Sequence, residues 1–309
     1  MNTYKTISVV IPLFNESKNI NELLRRLIKV LSNFNEYEII FINDGSTDDT
    51  LEKLLKISSS NKRIKIISLS RNFGHQIALS AGIDFISKEN AVLMDGDMQD
   101  PPELIPDLIN KLKQNYNVVY CVRKKRKENF IKKFCYFIFY RILKILSKVN
   151  MPLDSGDFSA LDQKAITNLK KFPEKNKYIR GLRSWIGFRQ TSYEYERDER
   201  HKGTPKYNFL SLTKLALDGL FSFSNFPLKI ATMSGFIITF FCILYILYIL
   251  INKIFIGVAP QGWSSLMIIV LFLGGLHLLV LGIIGEYIAR IYDEVRGRPD
   301  YIIDFTNNI

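Results

Sequence analysis

Three short polar runs, each at the end of an apolar stretch, hold the residues best suited to chemistry. Asp95-Gly96-Asp97 follows Ala91–Met94, Asn43-Asp44-Gly45-Ser46 ends Tyr37–Asn43, and Pro12–Glu16 ends Ile7–Leu13. Residues two apart on an extended chain point the same way, so Asp95 and Asp97 present two carboxylates together, and Gly96 leaves room for a ligand. Two hard oxygen ligands beside an anionic substrate are what Mg²⁺ or Mn²⁺ bridging a diphosphate requires, and Gln99 can add a neutral oxygen. Asp44 is placed to accept hydrogen bonds from a nucleotide base, while the helix start after it adds a favourable field for phosphate. Read more simply, the same run is a turn in which Ser46 caps the next helix. Pro12–Glu16 would complete the wall of one crevice.

These runs need a sheet to hold them. Apolar, β-branched segments at Ile7–Leu13, Tyr37–Asn43, Ile64–Ser70, Ala91–Met94 and Val118–Val122 read as strands. Helical patterns fill the gaps at Asn19–Phe34, Asp49–Ser58, Phe73–Ser87 and Pro102–Gln114, the last opened by Pro101-Pro102. This βαβ rhythm predicts a Rossmann-like, mostly parallel sheet covered on both faces, with its ligand in the crevice at the strands' carboxyl ends. A dinucleotide-dependent dehydrogenase would need a G-x-G-x-x-G turn after the first strand, where Pro12-Leu13-Phe14-Asn15 stands instead.

The chain then changes character. Ile230–Asn252 and Trp263–Gly285 are apolar stretches of about 23 residues, hence roughly 34 Å of helix, enough to cross a hydrocarbon core. Lys206, Lys214 and Lys229 precede them and Arg290, Arg296 and Arg298 follow, against Lys253 alone in the connection. That bias predicts an inner (cytoplasmic) membrane protein, multi-pass, with the catalytic domain and both termini cytosolic. Ile7–Phe14 is too short and too soon interrupted to be a signal segment. The three cysteines, Cys121, Cys135 and Cys242, suggest neither a disulfide framework nor a metal motif, in keeping with a reducing cytosol.

A net charge of +12 implies an anionic partner. Much of it lies in Arg123–Lys148, where ten basic residues face one acid, Glu128, and apolar residues recur at helical spacing within Phe130–Val149. This segment, 123–150, reads as a basic amphipathic helix at the headgroup level of anionic lipid, and 210–228 as a second, juxtamembrane helix. The remaining boundaries are a soluble domain over 1–209, two transmembrane helices within 229–285, and a tail over 286–309. Nucleic acid is not expected as a partner. His75 and His277 have no companions at metal-ligand spacing and read as structural.

Six runs together carry a resemblance: VVIPLFNES (Val9–Ser17), FINDGSTDDT (Phe41–Thr50), SRNFGHQIALSAG (Ser70–Gly82), VLMDGDMQDPPE (Val92–Glu103), DSGDF (Asp154–Phe158) and RHKGTPKY (Arg200–Tyr207). The chain resembles glycosyltransferase family 2, and within it the polyprenyl-phosphate glycosyltransferases, over nearly its whole length. The resemblance implies a GT-A fold, a nucleotide-sugar donor, a divalent metal, a polyprenyl-phosphate acceptor, inversion at the anomeric carbon, and a homo-oligomer such as a tetramer. Gly235, Gly274, Gly275 and Gly282 would let helices approach closely in that assembly.

Matched by position, Pro12, Glu16 and Asp44 fall at nucleotide-binding positions, and Asp95, Asp97 and Gln99 at the donor and metal site. Arg123 and Arg141 resemble the pair that holds the acceptor phosphate, and Arg200 and Lys206 resemble clamps on donor diphosphate or acceptor phosphate. Asp157 occupies a position for which the resemblance suggests a base. A phosphate monoester with a second pKa near ~6 is already largely ionised at neutral pH and is itself the nucleophile, so Asp157 is equally suited to orienting an arginine or the sugar hydroxyls. The expected reaction is transfer of one sugar, UDP-glucose favoured, to undecaprenyl phosphate. Its rivals are another lipid acceptor on the same fold and a non-catalytic protein that binds anionic lipid.

Overall fold

The structure, a computed structural model, describes residues 6–124, 155–175, 177–196, 226–255 and 262–309. Arg141, Arg200, Lys206, the basic segment beyond residue 124 and all but the last residues of 210–228 lie outside the described residues. The described chain divides into two compact units, one built on a sheet that includes Pro299–Ile309, the other containing two long helices.

The sheet unit is laid down by β1 (Ile7–Leu13) and β2 (Tyr37–Asn43), buried at every position. Strands covered on both faces read as continuous apolar runs rather than alternating ones, which is why these two are plain in the sequence. With β3 (Ile64–Leu69), β4 (Asn90–Leu93), β5 (Val118–Lys124), β6 (Ser155–Asp162), β7 (Gln190–Glu196) and β8 (Ile303–Asn307) they form one eight-stranded sheet, ordered β7-β5-β6-β4-β1-β2-β3-β8. The pairs β1–β2, β1–β4, β2–β3 and β5–β7 are parallel, whereas β4–β6, β5–β6 and β3–β8 are antiparallel. The sheet is therefore mixed, as a GT-A-like fold has it, and less uniformly parallel than the βαβ rhythm suggests. The antiparallel members are β6 and β8.

Helices cover the sheet through apolar stripes. In α1 (Ile20–Leu31), Ile20, Leu23, Leu27, Val30 and Leu31 are buried, three or four residues apart. α2 (Thr50–Ser60) starts at Asp49 with no side-chain cap, and Ser46 instead accepts a hydrogen bond from the Asn15 N–H at 3.0 Å, so the expected Ser46 cap is not made. α3 (His75–Asp84) buries Ala78 through Ile83. Its small residues let it lie against the strands: a Cβ on Gly82 would come within 2.4 Å of Val10 and 2.5 Å of Ile42. A 3₁₀ turn (Pro102–Leu104) leads into α4 (Ile105–Leu112), and α5 (Gln163–Leu169) and α6 (Ile179–Trp185) follow β6.

The second unit contains α7 (Phe226–Phe255) and α8 (Trp263–Val295), which pack against each other. Leu228–Ile249 and Leu266–Val295 are long and apolar enough to cross a membrane, and are 6% and 0% buried. α8 continues ten residues past the expected end of its apolar stretch. A Cβ at Gly235, Gly274, Gly275 or Gly282 would meet no described atom within 4 Å, so these glycines are not where helices approach within this chain.

Candidate active site

The parallel strands β1, β2 and β4 end on the same edge of the sheet, and β6, running the other way, begins there. Leu93 pairs with Ser159, so extending the register by two residues brings Asp95 beside Asp157. The two carboxylates meet through His75, the first residue of α3. Its Nε2 lies 3.2 Å from Asp157 Oδ2 and 3.4 Å from Asp95 Oδ1.

Asp157, 3% exposed, is the hub. Arg180 of α6 donates to it through Nε (2.8 Å) and Nη2 (2.7 Å), and Gln76 Nε2 donates at 3.3 Å. Burial favours the protonated acid, but the guanidinium of Arg180 and the imidazole of His75 outweigh it and hold Asp157 well below the usual carboxylate range. For His75, burial opposes the charge, yet the hydrogen bond to Asp157 and the field of Asp95 prevail and push it up to about 9. A second arginine, Arg183, is 1% exposed. It donates to the Gly156 carbonyl at 3.3 Å, and burial lowers it to about 10.

The acidic turn after β4 is held from below by Asp100, 1% exposed. Its carboxylate accepts from the Asp95 N–H (3.4 Å) and from Tyr195 Oη (2.6 Å). Asp97, 8% exposed, accepts from the Gln99 N–H at 3.1 Å, and Met98 takes a left-handed φ of 66°. Gly96 packs against the end of β1: a Cβ there would lie 2.1 Å from Leu13 Cδ2, so a larger residue would have to displace that side chain. Arg123, near the end of β5, pairs across the strands with Tyr195. One of its terminal nitrogens would stand 3.4 Å from a Cβ on Gly156, the residue whose carbonyl accepts from Arg183.

The wall expected from Pro12–Glu16 and Asp44 forms, with its polar groups tied to neighbours. Asn15 takes φ 53°, and Thr47 N donates to its side-chain oxygen at 2.8 Å. Glu16 N donates to Thr50 Oγ1 at 3.0 Å, and its carboxylate accepts from Asn19 at 2.7 Å. Pro12 sits in β1 opposite Ile42. Asp44, 3% exposed, accepts from the N–H groups of Phe73 (2.8 Å) and Gly74 (3.0 Å). Burial raises its pKa and those two bonds only partly restore it. Gly45, at φ +62°, lets this turn touch the Arg71–Asn72 backbone, where a Cβ would come within 2.4 Å.

The ligand set that converges is His75, Asp95 and Asp157, whose ligating atoms lie within 4.8 Å of one another. The expected trio Asp95, Asp97 and Gln99 shares only Asp95 with it. The two carboxylates suit Mn²⁺ or Mg²⁺, and the imidazole can join as a ligand only if His75 gives up its proton, a mixed set that favours Mn²⁺ over the harder Mg²⁺. His75 is thus a site residue that its sequence neighbours do not reveal: its partners are 20 and 82 positions away. Asp100, Arg180 and Arg183 are likewise found only in three dimensions, and the D-x-D-x-x-D spacing was the one available signal for Asp100.

Comparison with known proteins shows the family to which the chain belongs. Residues 8–169 match the model for glycosyl transferase family 2, and residues 226–291 match that of the GtrB C-terminal hairpin. An uncharacterized glycosyltransferase, YkcC of Bacillus subtilis, is 46% identical over 98% of this chain and 94% of its own length. The SfII prophage-derived bactoprenol glucosyl transferase of Shigella flexneri is 37% identical, over 96% and 97%. Among solved structures, glucosyl-3-phosphoglycerate synthase from Mycobacterium tuberculosis aligns with a TM-score of 0.49 at 19% identity, covering 70% of this chain and 79% of that one. With its acidic turn at the carboxyl ends of the strands and its two long apolar helices, the chain belongs to glycosyl transferase family 2, alongside the bactoprenol glucosyl transferases.

Proposed function

We propose that the protein transfers a single sugar, with inversion, from a nucleotide sugar to undecaprenyl phosphate at the cytoplasmic membrane face, with UDP-glucose as the favoured donor. The observation that carries the reading is the convergence of Asp95, His75 and Asp157 beside the Asp97 turn, in a chain that also holds two membrane-length helices. The relatives named bactoprenol glucosyl transferase support the lipid acceptor and the glucose. Lys229, Arg290, Arg296 and Arg298 flanking the helices, against Lys253 between them, support the cytoplasmic orientation.

In this reading the acceptor phosphate is the nucleophile. One of its oxygens bonds to the anomeric carbon from the face opposite the leaving group, the bond to the nucleotide diphosphate breaks, and the electron pair leaves with the diphosphate. Asp95 and Asp97 would hold Mg²⁺ or Mn²⁺, with His75 in reach, and the ion would supply charge neutralisation for the departing diphosphate. Asp44 and the Pro12–Glu16 wall seat the nucleoside. Arg123 holds the acceptor phosphate with Arg141, while Arg200 and Lys206 close over the phosphates. Asp157 orients rather than abstracts: a carboxylate gripped at both oxygens and held far below neutral pH is a weak base, and the nucleophile carries no proton that must be removed. Fixing the reacting groups in this way is the main catalytic contribution open to such a site. Anionic membrane lipids and a homo-oligomeric state complete the reading.

The test is to incubate membranes containing the full chain with undecaprenyl phosphate and a panel of radiolabelled nucleotide sugars. One sugar should move into the organic-extractable fraction, most rapidly from UDP-glucose. Label that enters lipid only when a diacylglycerol is supplied would replace the acceptor, and no transfer from any donor would overturn the reading.

A further inference from the structure

Every side-chain partner of Asp157 described above comes from two helices. His75 and Gln76 open α3, and Arg180 lies in the first turn of α6. The helices are joined beside the site by the Ile179 N–H, which donates to Gln76 Oε1 at 2.9 Å. Both helices reach Asp157 through side chains at their starts, so their relative placement decides the geometry of the hub.

A third element grips both. Tyr301 donates to Asp84, the last residue of α3, at 2.9 Å. Asp300 lies 3.4 Å from Lys175 Nζ and 3.2 Å from Lys177 Nζ, in the segment that leads into α6. The side chains of Asp300 and Lys177 are each only 12% exposed, so this is no solvent-screened surface pair. The same segment is fixed along the sheet: Ile302 O accepts from Ser70 N at 2.9 Å, β8 pairs with β3, and Asn308 donates to the Ser58 and Ile64 carbonyls at 2.8 and 3.0 Å. Ser70 in turn opens the loop whose Phe73 and Gly74 N–H groups hold Asp44.

We infer that Asp300 and Tyr301 are positioning residues of the active site, which set the α3–α6 spacing and through it the Arg180–Asp157–His75 arrangement. Their contribution is to fix, from outside, the two helices whose ends clamp Asp157. The inference rests on the proposed transfer reaction for its effect on rate, and on the geometry alone for its effect on the helices.

The experiment uses the full chain in detergent. Asp300→Asn should lower kcat roughly tenfold, the scale of a lost charge-assisted contact, with both KM values and the unfolding midpoint little changed. In an Arg180→Lys background the same substitution should add less than about twofold, because residues acting through one contact are not additive. Amide hydrogen exchange, which needs no activity, should show faster exchange at 75–78 and 179–183 in Asp300→Asn and unchanged protection in β1 and β2. Tyr301→Phe gives the same cycle with a smaller step if Asp300→Asn does not accumulate as folded protein. Unchanged exchange in those helix starts, or losses that multiply fully with Arg180→Lys, would overturn the inference. A wild-type chain that transfers no sugar, yet shows the exchange difference, would overturn the proposed reaction and leave the positioning role standing.

Discussion

Opposite ends of the same parallel strands bury carboxylates on different terms. At the amino ends, Glu38 is 3% exposed and accepts from Ser8 Oγ, from Ser87 N (2.9 Å) and from Ser87 Oγ (2.7 Å), and Lys65 Nζ lies 2.7 Å away. One cation and three neutral donors fill the roughly four acceptor positions of a carboxylate. At the carboxyl ends, Asp157 is surrounded by Arg180, His75 and Gln76, with Asp95 sharing the same histidine and Arg183 behind. The first network closes on itself and serves the fold. The second concentrates charges of both signs around an acidic turn, which is how a protein prepares to receive a charged ligand.

The sharpest way to break this contrast is to act on the acidic turn. Chelation with EDTA should abolish sugar transfer, and Mg²⁺ or Mn²⁺ should restore it; Asp95→Asn should lose on the order of a thousandfold, as expected for removing an electrostatic anchor of the transition state. Full turnover in EDTA would refute the metal. Next in size, Arg180→Lys keeps the charge but loses the two-pronged grip on Asp157, so kcat should fall about 10- to 100-fold, or about 1.4–2.7 kcal/mol. Arg141→Lys should cost a similar or smaller factor, seen in acceptor use, with nucleotide-sugar titration unchanged. An altered donor affinity there would mean that the two substrates are misplaced.

The smallest effect on turnover is expected at the amino ends. Burial tends to raise the Glu38 pKa, but the Lys65 and serine hydrogen bonds override it and leave it lowered. The unfolded chain therefore takes up a proton at higher pH than the folded one, so Glu38 stabilises the fold above the ordinary glutamate range. That contribution is lost as pH falls through the folded-state pKa. Glu38→Gln should reduce stability by roughly 2–4 kcal/mol at neutral pH and flatten the acid side of a thermal unfolding profile. A mutant profile as steep as the wild type would locate the acid sensitivity elsewhere.

How far the sequence could be read follows the same division. Mostly apolar, β-branched runs, broken in β1 only by Ser8 and in β2 by Glu38, make β1, β2 and β5 plain, and each polar run at a strand's carboxyl end marks the crevice. β6 was hidden because Ser155, Asp157 and Ser159 put polar residues inside, in a strand whose eight residues are nearly all buried. β8 is five residues with alternating exposure, too short for a pattern to stand out. Both strands pair antiparallel with neighbours distant in sequence, which a βαβ rhythm does not foretell. His75 reads as structural in the sequence because ligand spacing along a chain says nothing about groups that the sheet register and the start of α3 bring together. Ser46 has the chemistry of a cap, but the left-handed turn at Asn15 placed a backbone donor closer to it.

The central claim is that the carboxylates at one end hold the reaction and those at the other hold the fold. It is tested most directly by measuring lipid-linked sugar formed per folded molecule for Asp157→Asn and Glu38→Gln side by side, with the folded fraction taken from thermal unfolding of the same samples. The account predicts that Asp157→Asn loses at least about 100-fold in kcat while remaining folded at the assay temperature. Glu38→Gln should melt earlier yet retain wild-type turnover per folded molecule. Equal turnover in the two variants, or a Glu38→Gln protein that is fully stable but inactive, would contradict it.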